Sequence, residues 1–321
     1  RLSSFPDYGK LSHFDISQLQ SGASGRVDHD EYETDDVRDF ALWKAYDEDD
    51  GEVYWETELG KGRPGWHIEC SAMSTKYLGP RLDIHCGGVD NIFPHHENEI
   101  AQSECCSGQT FVNCWLHCAH LVVEGRKMSK SLGNFFTLRD LLEKGHDPQA
   151  IRWVLIATHY RQPNNFSFDA LDGAKQALNR LRDFRLRLGE AKGPGDALQA
   201  ECDACRAAFE EAMDDDLNIS GALGAVFNFV RDVNKALDDG RAGAEGAKNA
   251  LALLDRLNAV TNLFAPFGEE SAPADILEKV MARQQARRQK DFALSDRLRD
   301  EVLAAGWVIE DTPSGPRVKR G

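Results

Sequence analysis

The stretch DIHCGGVDNIFPHHENEIAQSE, residues 83–104, decides the fold of this chain. It begins as a short apolar run, passes through a Gly-rich turn and continues with a pattern that predicts a helix from Pro94 to Cys106. Further strand-like runs bounded by Gly-rich turns, such as HCAHLVV, recur between Arg63 and about Phe136. Strands that alternate with helices indicate an α/β fold.

Three residues in and before this stretch have side chains that bind metals. Cys70 lies in GRPGWHIEC, and His95 and Glu99 are four positions apart in FPHHENE. Four positions along a helix place two side chains on one face, one turn apart. Thiolate, imidazole and carboxylate together suit Zn²⁺, and three protein ligands leave one position of a tetrahedral shell open. Taken singly, these pieces are more typical of a buried cysteine and of a His–Glu pair on a helix surface.

A second element is KMSKS, residues 127–131, which follows the strand-like HLVVEG. Two lysines and two hydroxyl groups on a loop can reach a polyphosphate and neutralise charge as its α-phosphorus is attacked. Such a short string in isolation is more typical of a solvated loop.

A third element is Gly87-Gly88-Val89-Asp90, which follows the predicted strand LDIHC. Glycines let the backbone approach a ligand closely, and an aspartate can bond ribose hydroxyls. In isolation this element would be a tight turn.

Together, GRPGWHIECSAM, the 83–104 stretch and KMSKS closely resemble the catalytic core of cysteinyl-tRNA synthetases, which belong to class I of the aminoacyl-tRNA synthetases. The resemblance implies one zinc ion held by two cysteines, a histidine and a glutamate. Cys70, His95 and Glu99 match three of these ligands, and the other cysteine belongs to a segment outside this chain. His67 and His85 stay open as substitutes, while the neighbouring His96 and Glu97 are expected to support the site.

The same resemblance implies an ATP-dependent ligase. Cysteine would be activated by ATP, with Mg²⁺, to cysteinyl-adenylate and then joined to tRNA(Cys). Lys130 would contact the ATP phosphates, and Lys127 would support the loop or the pyrophosphate.

Gly87, Gly88 and Asp90 would form the adenosine side of the nucleotide site. Cys86 stands where the family more often has glycine. Trp66 would form a wall of the cysteine pocket, and an ordinary core tryptophan is the alternative.

The rest of the chain is predicted to be helical from Asp147-Pro148 onward, because Asp can cap a helix and Pro can occupy its first turn. We expect a break near 193–195, a linker at 264–275 and, at the acidic triplet 214–216, a helix N-terminus. Helical spacing predicts that seven residues lie on packed faces, namely Ala174, Leu178, Leu181, Leu223, Val226, Phe227 and Val230. The resemblance covers essentially the whole chain and implies the second half of a Rossmann-like nucleotide-binding fold, a helical bundle and a small anticodon-binding domain. The expected boundaries are a connective segment 1–62, the second half of the catalytic domain with the KMSKS loop 63–136, a connecting helical segment 137–170, the helical bundle 171–268 and the C-terminal domain 269–321.

The tail, residues 282–320, carries a local basic cluster and resembles the anticodon domain of the family. By positional match, Arg287, Asp296 and Asp311 would contact the tRNA anticodon, since arginine and carboxylates can bond exposed base edges. A solvated helix with ion pairs between residues four apart is the alternative.

Composition limits the remaining possibilities. The net charge of −15 argues against indiscriminate binding to nucleic acid or an anionic membrane. No run approaches the length of a membrane span, and eight cysteines without a compact disulfide framework fit a reducing compartment, so we expect a cytoplasmic protein. The pair Cys202 and Cys205 lacks partner ligands, so a second metal site is not expected there.

The first residue is Arg1, and the HIGH element of class I synthetases is not among the 321 residues. We therefore expect the C-terminal two-thirds of a longer polypeptide, unable to form cysteinyl-adenylate by itself. Two other functions stay open. One is the cysteine ligase of mycothiol synthesis, whose family lacks the anticodon tail, and the other is a non-catalytic, zinc-containing tRNA-binding fragment.

Overall fold

The computed structural model of the protein describes residues 4–13, 39–263, 272–312 and 315–320. The chain divides into two compact units, Arg1–Ala177 with Ala207–Asn228, and Leu178–Arg206 with Phe229–Gly321. The helices are α1 Trp66–Leu78, α2 Glu97–Ser107, α3 Leu138–Glu143, α4 Pro148–Ile156, α5 Phe168–Glu190, α6 Gln199–Asp214, α7 Ile219–Asp238, α8 Ala244–Thr261, α9 Ala274–Arg288 and α10 Phe292–Ala304. The strands are β1 Trp43–Ala45, β2 Trp55–Thr57, β3 Gly60–Pro64, β4 Leu82–Gly88, β5 Val112–Cys118, β6 Leu121–Val123, β7 Arg126–Lys127, β8 Asn164–Phe166, β9 Trp307–Thr312 and β10 Gly315–Arg320.

The centre of the first unit is a β-α-β arrangement. Strands β4 and β5 pair in parallel, with Leu82 opposite Val112, and α2 lies between them in the chain. Parallel neighbours need such a crossover connection. Leu82, Ile100, Phe111 and Val112 form a buried cluster beneath the pair. This arrangement confirms the α/β prediction.

The predicted helix at 94–106 is present, but its regular part begins three residues later. A wide helical turn, Ile92–His96, comes first, and Phe93 within it has extended backbone angles. The regular α-helix follows this irregular turn, so α2 starts at Glu97.

Two three-stranded sheets flank this centre in the chain. Strand β3 pairs antiparallel with β1 and β2, inside the segment predicted to be loop-rich. Strand β6 pairs antiparallel with β7 and parallel with β8. Strands β1 and β2 have three residues each, too few for alternation of apolar and polar side chains to be recognised.

The helical prediction for the second half of the chain is confirmed. The side chain of Asp147 accepts a hydrogen bond from Gln149 N at 2.7 Å, and Pro148 occupies the first turn of α4. The break predicted near 193–195 lies between α5 and α6. Six of the seven residues predicted to pack are buried, namely Ala174, Leu178, Leu181, Leu223, Val226 and Val230, and Phe227 is half-buried. Of the linker predicted at 264–275, residues 264–271 lie outside the described residues.

The prediction that the acidic triplet 214–216 begins a helix was wrong. Its first residue ends α6, and α7 begins five residues later, after Asn218, whose side chain accepts from a backbone N–H of α7. Asp216 lies in the turn between them, where it accepts from the Tyr160 hydroxyl at 2.6 Å and pairs with Arg161 at 2.6 Å. Asparagine capped this helix instead of the aspartates.

In the second unit, α9 and α10 are followed by an antiparallel hairpin of β9 and β10. The core of this part, which we call the C-terminal subdomain (residues 272–320), consists of Ala272, Ile276, Val280, Val302, Trp307 and Ile309. Among all the described residues, no helix combines the length and the apolar character needed to cross a membrane.

Candidate metal and nucleotide site

Three side chains converge from separate parts of the first unit. Cys70 lies on α1, His95 in the turn before α2, and Glu99 on α2. Their ligand atoms all lie within 4.8 Å of one another. The prediction that His95 and Glu99 share a face is confirmed, since His95 Nε2 lies 3.6 Å from Glu99 Oε2.

The surroundings of Glu99 show what kind of group this cluster suits. Its carboxylate is 0% exposed, and its Oε2 atom lies 3.0, 3.6 and 3.8 Å from the Nε2 atoms of His85, His95 and His96. Burial lowers the pKa of His95 and lowers that of His96 to about 3, so these two imidazoles are neutral near pH 7. A buried carboxylate beside neutral imidazoles is costly by itself, so this arrangement favours a bound cation.

The cysteine of the cluster fits the same conclusion. Burial first, and then the charge of Glu99, raise the pKa of the Cys70 thiol. A bound metal reverses this effect because a coordinated thiol is deprotonated. Sulfur, nitrogen and oxygen donors at these positions are the ligand types that zinc accepts, so the donor set fits Zn²⁺.

Further histidines surround the cluster. His85, His96 and Glu99 form a second group whose ligand atoms lie within 4.8 Å of one another, and His67 Nδ1 lies 2.8 Å from His95 Nδ1. Both substitutes considered for the ligand set, His67 and His85, therefore contact one of its members. His117, which the sequence analysis missed, lies with Nε2 2.8 Å from His96 Nδ1.

Trp66 begins α1 and stacks on His95, with ring centroids 4.3 Å apart. Its side chain is 51% exposed. Trp66 is therefore not part of the core of this chain, and its role in cysteine binding stays a prediction.

The glycines predicted to line the nucleotide site end β4. A Cβ atom on Gly87 would lie 2.5 Å from His96 Cε1, and one on Gly88 would lie 2.3 Å from Asp90 Oδ1. The buried ring of His96 thus leaves no room for a side chain at Gly87, whereas at Gly88 the end of the Asp90 side chain would have to move. Contact of Gly87, Gly88 and Asp90 with ATP stays a prediction.

The KMSKS loop follows β7 and is held by an asparagine outside the motif. Asn134 donates to the carbonyl groups of Val123 and Lys127 at 3.2 and 3.1 Å and accepts from Ser129 N at 2.9 Å. Lys127 and Lys130 are exposed. The loop backbone is therefore fixed while its two ammonium groups remain accessible.

In the C-terminal subdomain, two of the three predicted anticodon residues meet. Arg283, which is 5% exposed, donates two hydrogen bonds to Asp311 at 2.9 and 3.0 Å, and Arg287 donates to the same carboxylate. These bonds, those of Arg283 above all, lower the pKa of Asp311 to about 2. The arginines pair with β9 across the subdomain, whereas the alternative had ion pairs along one helix. Asp296 is exposed on α10, and contact of any of the three with tRNA stays a prediction.

Comparison with known proteins agrees with these features. Residues 1–176 match the family described as tRNA synthetases class I (C) catalytic domain, and residues 208–265 match the DALR domain. Cysteine–tRNA ligase of Protochlamydia amoebophila is 49% identical in an alignment of 326 positions that covers 99% of this chain and 68% of that protein. Cysteine–tRNA ligase of Solibacter usitatus is also 49% identical, over 100% of this chain and 69% of its own length.

Among solved structures, this chain is similar to the Agrobacterium radiobacter K84 agnB2 LeuRS in a ternary complex with tRNA and LeuAMS. The TM-score is 0.51 and the sequence identity is 16%, and the matched region covers 71% of this chain and 37% of the LeuRS chain. At this identity the likeness shows the fold alone. The two family matches and the curated relatives go further: the chain belongs to the cysteine–tRNA ligase family of class I aminoacyl-tRNA synthetases.

Proposed function

We propose that the polypeptide containing this chain activates L-cysteine with ATP and joins it to tRNA(Cys), and that zinc at Cys70, His95 and Glu99 recognises the cysteine thiol. The observation that carries the proposal is the convergence of these three donors at a buried carboxylate whose neighbouring imidazoles His95 and His96 are neutral. In the first step a carboxylate oxygen of cysteine attacks the α-phosphorus of ATP, and pyrophosphate leaves. In the second step a 3′-terminal hydroxyl of the tRNA attacks the activated carbonyl, and AMP leaves.

The proposed site accounts for selection of cysteine over serine. When bound, zinc would supply a soft acceptor for a thiolate, for which a serine hydroxyl is a poor substitute. The indole of Trp66, half-exposed and stacked on His95, would form one wall around the amino acid. Discrimination at the binding step then makes hydrolytic editing unnecessary.

The KMSKS loop would serve the ATP phosphates. Lys130 would neutralise charge that develops on the α-phosphate, and Lys127 would hold the pyrophosphate as it leaves with Mg²⁺. The support for this role is the fixed loop backbone with two exposed ammonium groups. Gly87, Gly88 and Asp90, at the end of β4, would form the adenosine side of the site.

The C-terminal subdomain would contact the anticodon. A half-exposed carboxylate, Asp311, is held in place by two arginines and can accept hydrogen bonds from base edges. Arg287 and Asp296 are exposed on the same subdomain and would contribute further contacts.

The test uses the complete polypeptide and measures exchange of pyrophosphate into ATP with cysteine or serine, followed by transfer to tRNA(Cys) or to an amino-sugar acceptor. We expect exchange with cysteine alone and transfer to tRNA(Cys) alone. Lys130→Ala should reduce the exchange rate by roughly 100-fold or more, as loss of a transition-state charge contact does. Transfer to the amino sugar but not to tRNA(Cys), or zinc-free protein with full activity, would contradict the proposal.

A further inference from the structure

The chain segment 4–12, which we call the strap, is bound to α2 through a buried carboxylate. Glu97, the first residue of α2, is 0% exposed. Its Oε2 accepts from Gly9 N at 3.0 Å, and its Oε1 accepts from Leu11 N at 2.8 Å and Ser12 N at 2.6 Å. Three backbone N–H groups thus converge on one buried carboxylate and supply it with hydrogen bonds.

Other contacts keep the strap on the same helix. The Tyr8 hydroxyl donates to Asn98 Oδ1 at 2.5 Å, and Lys10 pairs with Glu104 at 2.5 Å. Phe5 and Leu11 pack against the buried cluster between β4, α2 and β5. The strap therefore contacts α2 from its first residue to its last turn.

Glu97 lies two positions before Glu99, and side chains two positions apart on a helix point to different faces. One face of the first turn of α2 thus bonds the strap, while the other presents Glu99 to Cys70 and His95. A carboxylate in the first turn also interacts favourably with the helix dipole. The two anchors fix the rotation of this turn from opposite sides.

From this geometry we infer that Glu97 is a positioning residue for the proposed zinc site: the strap, through Glu97, holds the first turn of α2 in the orientation that brings His95 and Glu99 to Cys70. The inference rests on the proposed function, because it concerns the affinity of the site for zinc. Groups that orient metal ligands commonly change metal affinity when they are removed. Glu97 itself has no contact with the ion and is not a catalytic residue.

The test measures the dissociation constant for zinc by competition with a chromophoric chelator, using the complete polypeptide. Glu97→Gln keeps the size of the side chain but removes its charge and turns an N–H₂ group toward the N–H donors of the strap. We expect zinc to bind about 10- to 100-fold more weakly. The matched control, Lys10→Met, breaks the exposed ion pair between strap and helix, and its dissociation constant should stay within about twofold of the unsubstituted chain.

A second measurement follows the strap itself. If the strap strengthens zinc binding, zinc must strengthen the strap to the same extent. Saturating zinc should therefore slow hydrogen exchange of the Gly9, Leu11 and Ser12 amides in the unsubstituted chain, and this slowing should be absent in Glu97→Gln.

The outcomes separate this inference from the proposed function. Three outcomes would overturn the positioning role and leave the zinc site standing. These are an unchanged zinc dissociation constant in Glu97→Gln, an equal weakening of zinc binding in Lys10→Met, or hydrogen-exchange rates of the strap amides that do not change with zinc. Failure of the unsubstituted complete polypeptide to bind zinc overturns both.

Discussion

Two clusters of charged and polar side chains invite comparison, one in each unit of the chain. At the first, Cys70, His95 and Glu99 converge, and all three are electron-pair donors. At the second, Arg283 donates two hydrogen bonds to Asp311, so donor and acceptor satisfy each other. Both clusters contain residues that the sequence analysis assigned to function.

The difference lies in what each cluster still requires. The first holds a buried carboxylate with neutral imidazoles for neighbours, an arrangement that is costly without a cation. In the second, the negative charge of Asp311 is matched by arginine, and the Asp311 carboxylate is 49% exposed. A cluster of like donors indicates a ligand, whereas a matched ion pair first indicates stability and can bind a partner only through its exposed side.

The largest expected effect tests the first cluster. Cys70→Ser and Glu99→Gln should each weaken zinc binding on the order of 100-fold or more, because each removes one of few ligands that together supply the binding free energy. The measurement is zinc content after dialysis, by elemental analysis. The control is Cys105→Ser, which changes an exposed cysteine on α2, the helix that carries Glu99, and this variant should retain the zinc ion. Retention of zinc by both site variants would show that the donors converge for another reason.

The next effect tests the second cluster. Arg283→Met keeps the apolar stem of the side chain but removes two hydrogen bonds to a carboxylate, so the C-terminal subdomain should lose about 2 kcal/mol of its free energy of unfolding. Hydrogen exchange of the β9 amides measures the change. Zinc content should not change, and a loss of zinc would show that the two clusters are coupled.

Much of the first cluster could be predicted because its geometry is local. His95 and Glu99 are four positions apart on one helical segment, so a periodic pattern suffices to bring them together. Cys70 required the surrounding motif, since nothing in a 25-residue separation fixes a distance. The start of α4 was predicted for the same local reason, through Asp147 and Pro148.

What could not be predicted depends on approach between distant segments. His117 reaches the cluster because the parallel register of β4 and β5 places it opposite Gly87. Likewise, Asn134 holds the KMSKS loop and Glu97 holds the strap through bonds to backbone groups, which any residue type could offer. No side-chain pattern records such bonds, so only the folded chain reveals them.

A smaller effect separates the clusters by pH. Because Arg283 and Arg287 lower the pKa of Asp311 to about 2, this carboxylate stabilises the folded chain above its ordinary pKa, and the stabilisation is lost as the pH falls toward 2. Screening of a half-exposed group limits the contribution to about 1 kcal/mol. We expect the unsubstituted chain to exceed Asp311→Asn in urea resistance at pH 5 and to lose that advantage near pH 2. An advantage that persists at pH 2 would contradict the assigned cause.

The smallest expected change in stability concerns Arg287, whose side chain shares Asp311 with Arg283 but is half-exposed. Arg287→Ala should cost less than about 1 kcal/mol of folding free energy, because Asp311 keeps its two bonds to the buried arginine. If Arg287 contacts the anticodon as proposed, the same variant should raise KM for tRNA(Cys) in aminoacylation by the complete polypeptide, with the rate of pyrophosphate exchange unchanged. Arg288→Ala, one position along the same helix, is the matched control and should leave both constants near their original values. A KM that does not respond to Arg287→Ala would reduce the second cluster to a structural ion pair and leave the first as the functional one of the two.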